Sequence, residues 1–123
     1  MKKYCLLVGL TFLLSCGDDA VDPNALLVSQ VEQELLVINN SFDDLYIAVF
    51  PESIIHVIDW VPVISEENKL PSREVMKLPL NQVSENFGEL PSDENLVFYY
   101  WKAVINGGKL VPGPINSLVF DPD

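Results

Sequence analysis

The segment Leu96-Val97-Phe98-Tyr99-Tyr100-Trp101-Lys102-Ala103-Val104-Ile105 constrains this chain most strongly. Most of it is β-branched or aromatic, residue types that suit a pleated, half-buried surface and lose side-chain freedom in a helix. Alternation puts Leu96, Phe98, Tyr100, Lys102 and Val104 on one face and Val97, Tyr99, Trp101, Ala103 and Ile105 on the other. The second set carries no charge and is assigned to the core. Tyr100, opposite, is expected to be exposed or covered by a loop over 81–95. Asn106-Gly107 follows directly. That dipeptide suits a tight hairpin whose central residues both need positive φ, and Gly108 shifts the expectation towards a bulged turn. Lys109 to Val111 begins the return, Pro112-Gly113-Pro114 interrupts it, and Ile115 to Phe120 supplies the last strand.

The earlier part of the chain repeats this grammar of short apolar runs cut by prolines and turn residues. Val31 to Asn39 reads as a first strand over about 30–39, with a helix over 24–34 as the other option. Asn39-Asn40-Ser41 marks a turn. Leu45 to Phe50 is apolar on both faces, as in a central strand, and Pro51 ends it. These two strands read as a hairpin. The stretch 51–64 is ambiguous between helix and strand. Pro51-Glu52-Ser53 suits a short helical turn near 52–57, and Pro62 limits any strand beyond it. Residues 65–72 read as loop. Arg73 to Leu80 reads as an edge strand with Val75 and Leu78 inward. The stretch 81–95 reads as mainly loop, tied down by Val83, Phe87 and Leu90. Strands spaced this way predict an all-β fold, an antiparallel immunoglobulin-like β-sandwich with at most one short helical turn.

The N-terminus follows a different logic. Lys2-Lys3 precedes an apolar run from Tyr4 to Leu14, and Leu13-Leu14-Ser15-Cys16-Gly17 follows. The run is short of the roughly 20 apolar residues a membrane span needs. It resembles the signal peptide of bacterial lipoproteins, with a lipobox ending at Cys16. That resemblance implies a diacylglyceryl thioether on Cys16, cleavage before it, and a membrane partner reached through the acyl chains. The expected organisation is a signal over 1–15, a lipidated Cys16 with a tether over 16–25, and one domain over 26–123. Gly17, where enteric lipoproteins retained in the inner membrane carry Asp, implies outer-membrane sorting. Asp18-Asp19 resembles a surface-export signal of some Gram-negative lineages, so the periplasmic and cell-surface faces both stay open. The body, through Val37 to Phe50, Asp59-Trp60-Val61-Pro62 and Val97 to Trp101, resembles small exported lipoproteins with immunoglobulin-like domains.

Removing residues 1–15 from the 123-residue chain leaves 108, enough for one domain. Cys5 leaves with the signal and Cys16 is acylated, so no disulfide can form. Five basic residues then face 18 acidic ones, a net charge of −13. Such a chain is expected to repel nucleic acid and anionic lipid headgroups. The apolar content still suffices for a core, which separates it from acidic disordered chains.

Signals for chemistry are weak. His56 is the sole histidine and sits in Ile-Ile-His-Val-Ile. No Gly-x-Ser-x-Gly elbow accompanies it. One histidine without a free thiol makes a poor transition-metal set. The acidic pairs Asp43-Asp44, Glu66-Glu67 and Asp93-Glu94 lack the calcium-loop pattern. No catalytic residue, metal or cofactor is therefore expected. The candidate binding patch is His56, Asp59, Trp60 and Tyr100, since Trp is a common interface anchor. The expected role is a non-catalytic binding or scaffolding module for an envelope protein or extracellular ligand. The alternative is a small envelope hydrolase using His56 with loop carboxylates.

Overall fold

The computed structural model describes residues 21–88 and 94–122. Cys16, the signal, the acidic start of the tether, Leu90 and Asp93 lie outside the described residues. The expectation of a mostly antiparallel all-β chain holds. The strands are β1 (Leu26–Val31), β2 (Glu34–Asn39), β3 (Leu45–Pro51), β4 (Lys69–Leu70), β5 (Val75–Pro79), β6 (Leu96–Trp101), β7 (Ala103–Asn106), β8 (Lys109–Pro112) and β9 (Asn116–Phe120), with one helix, α1 (Leu80–Phe87).

They form a three-stranded sheet ordered β1-β2-β5, a four-stranded sheet ordered β4-β3-β6-β9, and the two-stranded ribbon β7-β8. The single strand expected over 30–39 is instead the end of one strand, a two-residue turn and all of another. Val31-Glu32-Gln33-Glu34 contains no Gly, Asn or Pro to announce that turn. Glu32 makes it by adopting a φ of 58°, a region that non-glycine residues rarely occupy. Nor do β2 and β3 form a hairpin. β2 pairs with β1 and β5, whereas β3 pairs with β4 and β6 in the other sheet. Only loop 40–44 links them, so the apolar run in each strand is satisfied by different neighbours.

One buried cluster draws on both sheets. Leu26, Leu35 and Val37 contribute from the first, and Leu45, Ile47, Leu96, Phe98 and Tyr100 from the second. The face of β6 that carries Lys102 in the alternation is therefore the one that enters the main core. The lysine lies past the end of the strand, so its charge is no guide to the strand's facing. Val75 also reverses its expected direction. It is exposed, while Met76 and Leu78 turn towards the cluster, because β5 pairs Met76 with Val37 and Leu78 with Leu35.

The stretch 81–95, expected to be loop, begins with helix. Leu80, Val83 and Phe87 recur at the three- and four-residue spacing of one helical face and pack on the core. Pro79 precedes the first turn in an extended conformation, and Gly88 ends it at a φ of 91°. Stretch 51–64 follows its expected course, with a 3-10 turn at Glu52–Ile54 and then irregular chain. The tight turn after β7 centres on Gly107 and Gly108, at φ 65° and 80°, between the paired Asn106 and Lys109. It falls one residue later than Asn106-Gly107 alone suggests.

Candidate functional site

The second face of β3 and β6 carries Phe50, Val97, Tyr99 and Trp101. Chain 52–64 covers it as a strap. Both ends of the strap are pinned by side chains that the sequence gives no reason to pair. At the start, the Ser53 amide and hydroxyl each donate to the Glu94 carboxylate, both at 2.8 Å. Asn95 Nδ2 donates to Glu52 Oε1 at 3.0 Å, and the Glu52 amide donates to the Asn95 carbonyl. At the far end, the Val63 carbonyl accepts from Trp101 Nε1 at 3.2 Å and from Asn68 Nδ2 at 3.0 Å. Between these clips, Trp60 lies 5.1 Å from Phe50, 5.0 Å from Tyr99 and 6.0 Å from Trp101, ring centre to ring centre. Phe87 of α1 reaches Phe50 at 5.9 Å, edge to face. Such ring pairs contribute about 0.5–1.5 kcal/mol each beyond the area they bury.

Of the four patch residues, His56, Asp59 and Trp60 lie on this strap. Trp60 is half-buried, with its ring turned into the aromatic cluster. His56 and Asp59 are exposed, together with Val57 and Val61. Among the described residues no hydrogen bond or ion pair engages His56. Tyr100 is not part of the patch. It points from the other face of β6 into the main core and donates its hydroxyl to the Pro23 carbonyl at 3.3 Å. Strand alternation separates it from Trp60, which meets Tyr99 and Trp101.

The loop carboxylates are occupied with structure. Asp43 pairs with Lys102 at 3.6 Å. Asp44 pairs with Lys69 and accepts from the Ser72 amide. Glu66 pairs with Lys69 at 3.5 Å and, with Asp44, holds that ammonium above its ordinary range. Glu94 is spent on Ser53. Among the described residues no group of three or more His, Cys, Asp or Glu side chains is placed to hold a metal ion. None of the described helices is long and apolar enough to cross a membrane. A shallow depression of about 200 Å³ lies over the Asp43–Lys102 pair. A wider one of about 480 Å³ lies at the β1–β2 turn, lined by Val31, Glu32, Gln33, Glu34, Pro79 and Asn81. Both are open dents rather than enclosed sites.

A feature outside the sequence-derived patch is the outer face of the β1-β2-β5 sheet. The register aligns Leu27, Ile38 and Val75 in one row, and Ser29, Leu36 and Lys77 in the next. Leu27, Val31 and Val75 are exposed, and Leu36 and Ile38 are partly so. An antiparallel sheet with one face on the core ordinarily shows water a polar face. The run Leu35-Leu36-Val37-Ile38 already held the signal, since four apolar residues in series must place two on each face. No protein-family model matches the chain, and no curated protein or solved structure is found similar to it.

Proposed function

We propose that the chain is an outer-membrane lipoprotein, anchored through Cys16, whose all-β body is a non-catalytic binding or scaffolding module for another envelope protein. The observation that carries the binding half is the outward apolar row Leu27, Ile38 and Val75. Water offers no reason to keep that row apolar, and a contact surface does. Its acidic margin at Glu32, Glu34 and Glu74 favours a partner whose own apolar surface is flanked by Lys or Arg. The lipobox ending at Cys16 supports the anchoring half. The core contributed by both sheets supports an immunoglobulin-like β-sandwich.

Two measurements test the two halves. Mass spectrometry of the natural protein is expected to give an N-terminal Cys16 with diacylglyceryl; an unmodified chain starting elsewhere removes the anchor. A photo-reactive residue at Leu27, in intact cells, is expected to give one discrete protein adduct. A probe at Glu52 gives none, and Val75→Glu abolishes the Leu27 adduct without changing thermal unfolding. Absence of an adduct at Leu27, or one that persists in Val75→Glu, removes the binding face.

A further inference from the structure

The ribbon β7-β8 is the least explained part of the fold. It continues the β6–β9 pair beyond the point where β3 stops. The last β3–β6 partners in this direction are Tyr46 and Trp101, and Ala103 to Pro112 pair only with each other. Its four paired positions extend about 10 Å past the sheet. An isolated two-stranded ribbon is marginal in water, yet this one puts its large apolar pair outside. Ile105 is 76% exposed and Leu110 is 61% exposed, and they face each other across the ribbon.

Three further observations fall at the same end of the molecule. The described chain enters there. Tyr100 donates to the Pro23 carbonyl, and Asn116 Nδ2 donates to the Val21 carbonyl at 2.9 Å. Phe42, 85% exposed, lies in the loop that Asp43 ties to Lys102 at the ribbon's base, and the Arg73 guanidinium rests 5.3 Å over its ring. Charge is also unequal between the ends. Lys69, Arg73, Lys102 and Lys109 lie at this end beside Asp43, Asp44 and Glu66, which pair with Lys69 and Lys102, whereas Glu32, Glu34, Glu52 and Glu94 lie around the opposite one.

We infer that the β7-β8 ribbon is a membrane-contacting finger, which sets Ile105 and Leu110 into the bilayer interface beside the acyl anchor, with Phe42 as a second contact. The inference rests on the proposed lipidation of Cys16. Four residues separate Cys16 from Val21, and the five peptide links between the two give a reach of at most about 17 Å. The ribbon spans a comparable distance, so an anchored domain can touch the surface with this end. Lys109 and Arg73 can keep their charges among the headgroups while their stems lie along apolar neighbours. The acidic opposite end is held away from anionic lipid. The finger thus adds a second contact to the acyl attachment and fixes the domain's orientation, which leaves the outer face of the β1-β2-β5 sheet open sideways to a partner.

The test uses the full acylated protein in vesicles of phosphatidylethanolamine and phosphatidylglycerol. A single added cysteine at Ile105 carries an environment-sensitive dye, and a second protein carries it at Gln33 on the β1–β2 turn. The expected result is a blue-shifted emission at position 105, quenched by lipid-borne quenchers, with no change at position 33. Leu110→Ser reduces the shift at 105 while the protein still floats with the vesicles. Flotation with a water-like dye at 105, or equal quenching at 105 and 33, overturns the finger and spares the anchor. Loss of flotation together with an unacylated Cys16 overturns both. A shift at 105 that needs no lipid and grows with protein concentration reports a second copy of the chain on the ribbon, and also overturns the finger.

Discussion

Asn39 is a single side chain that holds two sheets together. It ends β2, is fully buried, and uses its whole hydrogen-bonding capacity. Nδ2 donates to the Asp43 carbonyl at 2.8 Å and to the Leu70 carbonyl of β4 at 2.9 Å. Oδ1 accepts from the Ser41 amide and hydroxyl. The sequence shows Asn39-Asn40-Ser41 as a turn, but the Leu70 partner is 31 residues away and leaves no local trace. Asn39→Leu should cost about 2–4 kcal/mol in urea unfolding, because several buried groups lose partners at once. Asn39→Asp should cost at least as much at neutral pH, since a carboxylate would face two carbonyl oxygens. Glu32 makes the opposite point. Its positive φ is unfavourable for any side chain, so Glu32→Gly should raise unfolding free energy by about 0.5–1 kcal/mol, measured the same way. Lys69 gives a pH signature. Its folded-state pKa is raised, first by Glu66 and then by Asp44. The contribution is therefore complete below the ordinary lysine pKa and is lost as pH rises through the raised one. The difference in melting temperature between Lys69→Gln and the parent should be constant through neutrality and shrink only in strong alkali.

Among the elements, the strap over 52–64 separates what sequence can reveal from what it cannot. The sequence leaves 51–64 ambiguous between helix and strand but favours a short helical turn near 52–57 with Pro62 limiting any strand beyond it, and the observed 3-10 turn followed by irregular chain agrees. The start of β6 and the presence of a hairpin beyond it are also legible, because alternation and the glycines act locally, whereas the break at Lys102 that divides the expected strand over 96–105 into β6 and β7 is not. Nor is the direction each face takes. Both faces of β6 are buried, one in the main core and one beneath Trp60, so the absence of charge on a face cannot tell them apart. Helix α1 escaped for a related reason. Its apolar positions are only Leu80, Val83 and Phe87, and Asn and Ser between them favour loops. Tertiary packing decides such a short helix. The strap itself depends on Trp60. Removing that half-buried ring should cost about 2–4 kcal/mol, at the lower end of Trp→Ala values for full burial. Trp60→Ala should make residues 55–64 the first site of proteolytic cleavage, while amides of β2 and β3 keep their protection from hydrogen exchange. Trp60→Phe should restore most of the loss, because Phe50 and Tyr99 retain a ring to pack on. Equal loss of protection in strap and sheets would show that the strap is an integral part of the cooperative unit rather than a cover laid upon it.

At the scale of the molecule, charge decides more than any single pair. Beyond residue 15 the chain carries 18 acidic and five basic residues, and two of the five, Lys69 and Lys102, are paired with Asp43, Asp44 and Glu66. The ion pairs of Lys69 and Lys102 are 3.5–3.6 Å long and partly exposed, so solvent screening leaves each of them weak. Repulsion acts among all the carboxylates at once. At about 0.01 M salt its range is about 30 Å, comparable to the size of a compact domain of about 100 residues, and at about 0.1 M it falls to about 10 Å. Salt should therefore relieve more repulsion than it screens attraction. The melting temperature of the domain should rise steadily as salt increases from about 0.01 M to about 0.15 M, over the range where the screening length shrinks fastest. Sodium chloride and potassium chloride should act alike, because the effect is ionic strength rather than ion binding. Charge-reversing variants should respond according to place. Glu34→Lys, among the acids, should raise the low-salt melting temperature and flatten its salt dependence, whereas Lys109→Glu should lower it and steepen the dependence. If melting temperature falls with salt, the few local pairs outweigh the collective repulsion, and the unequal distribution of charge between the two ends has no energetic consequence for the fold.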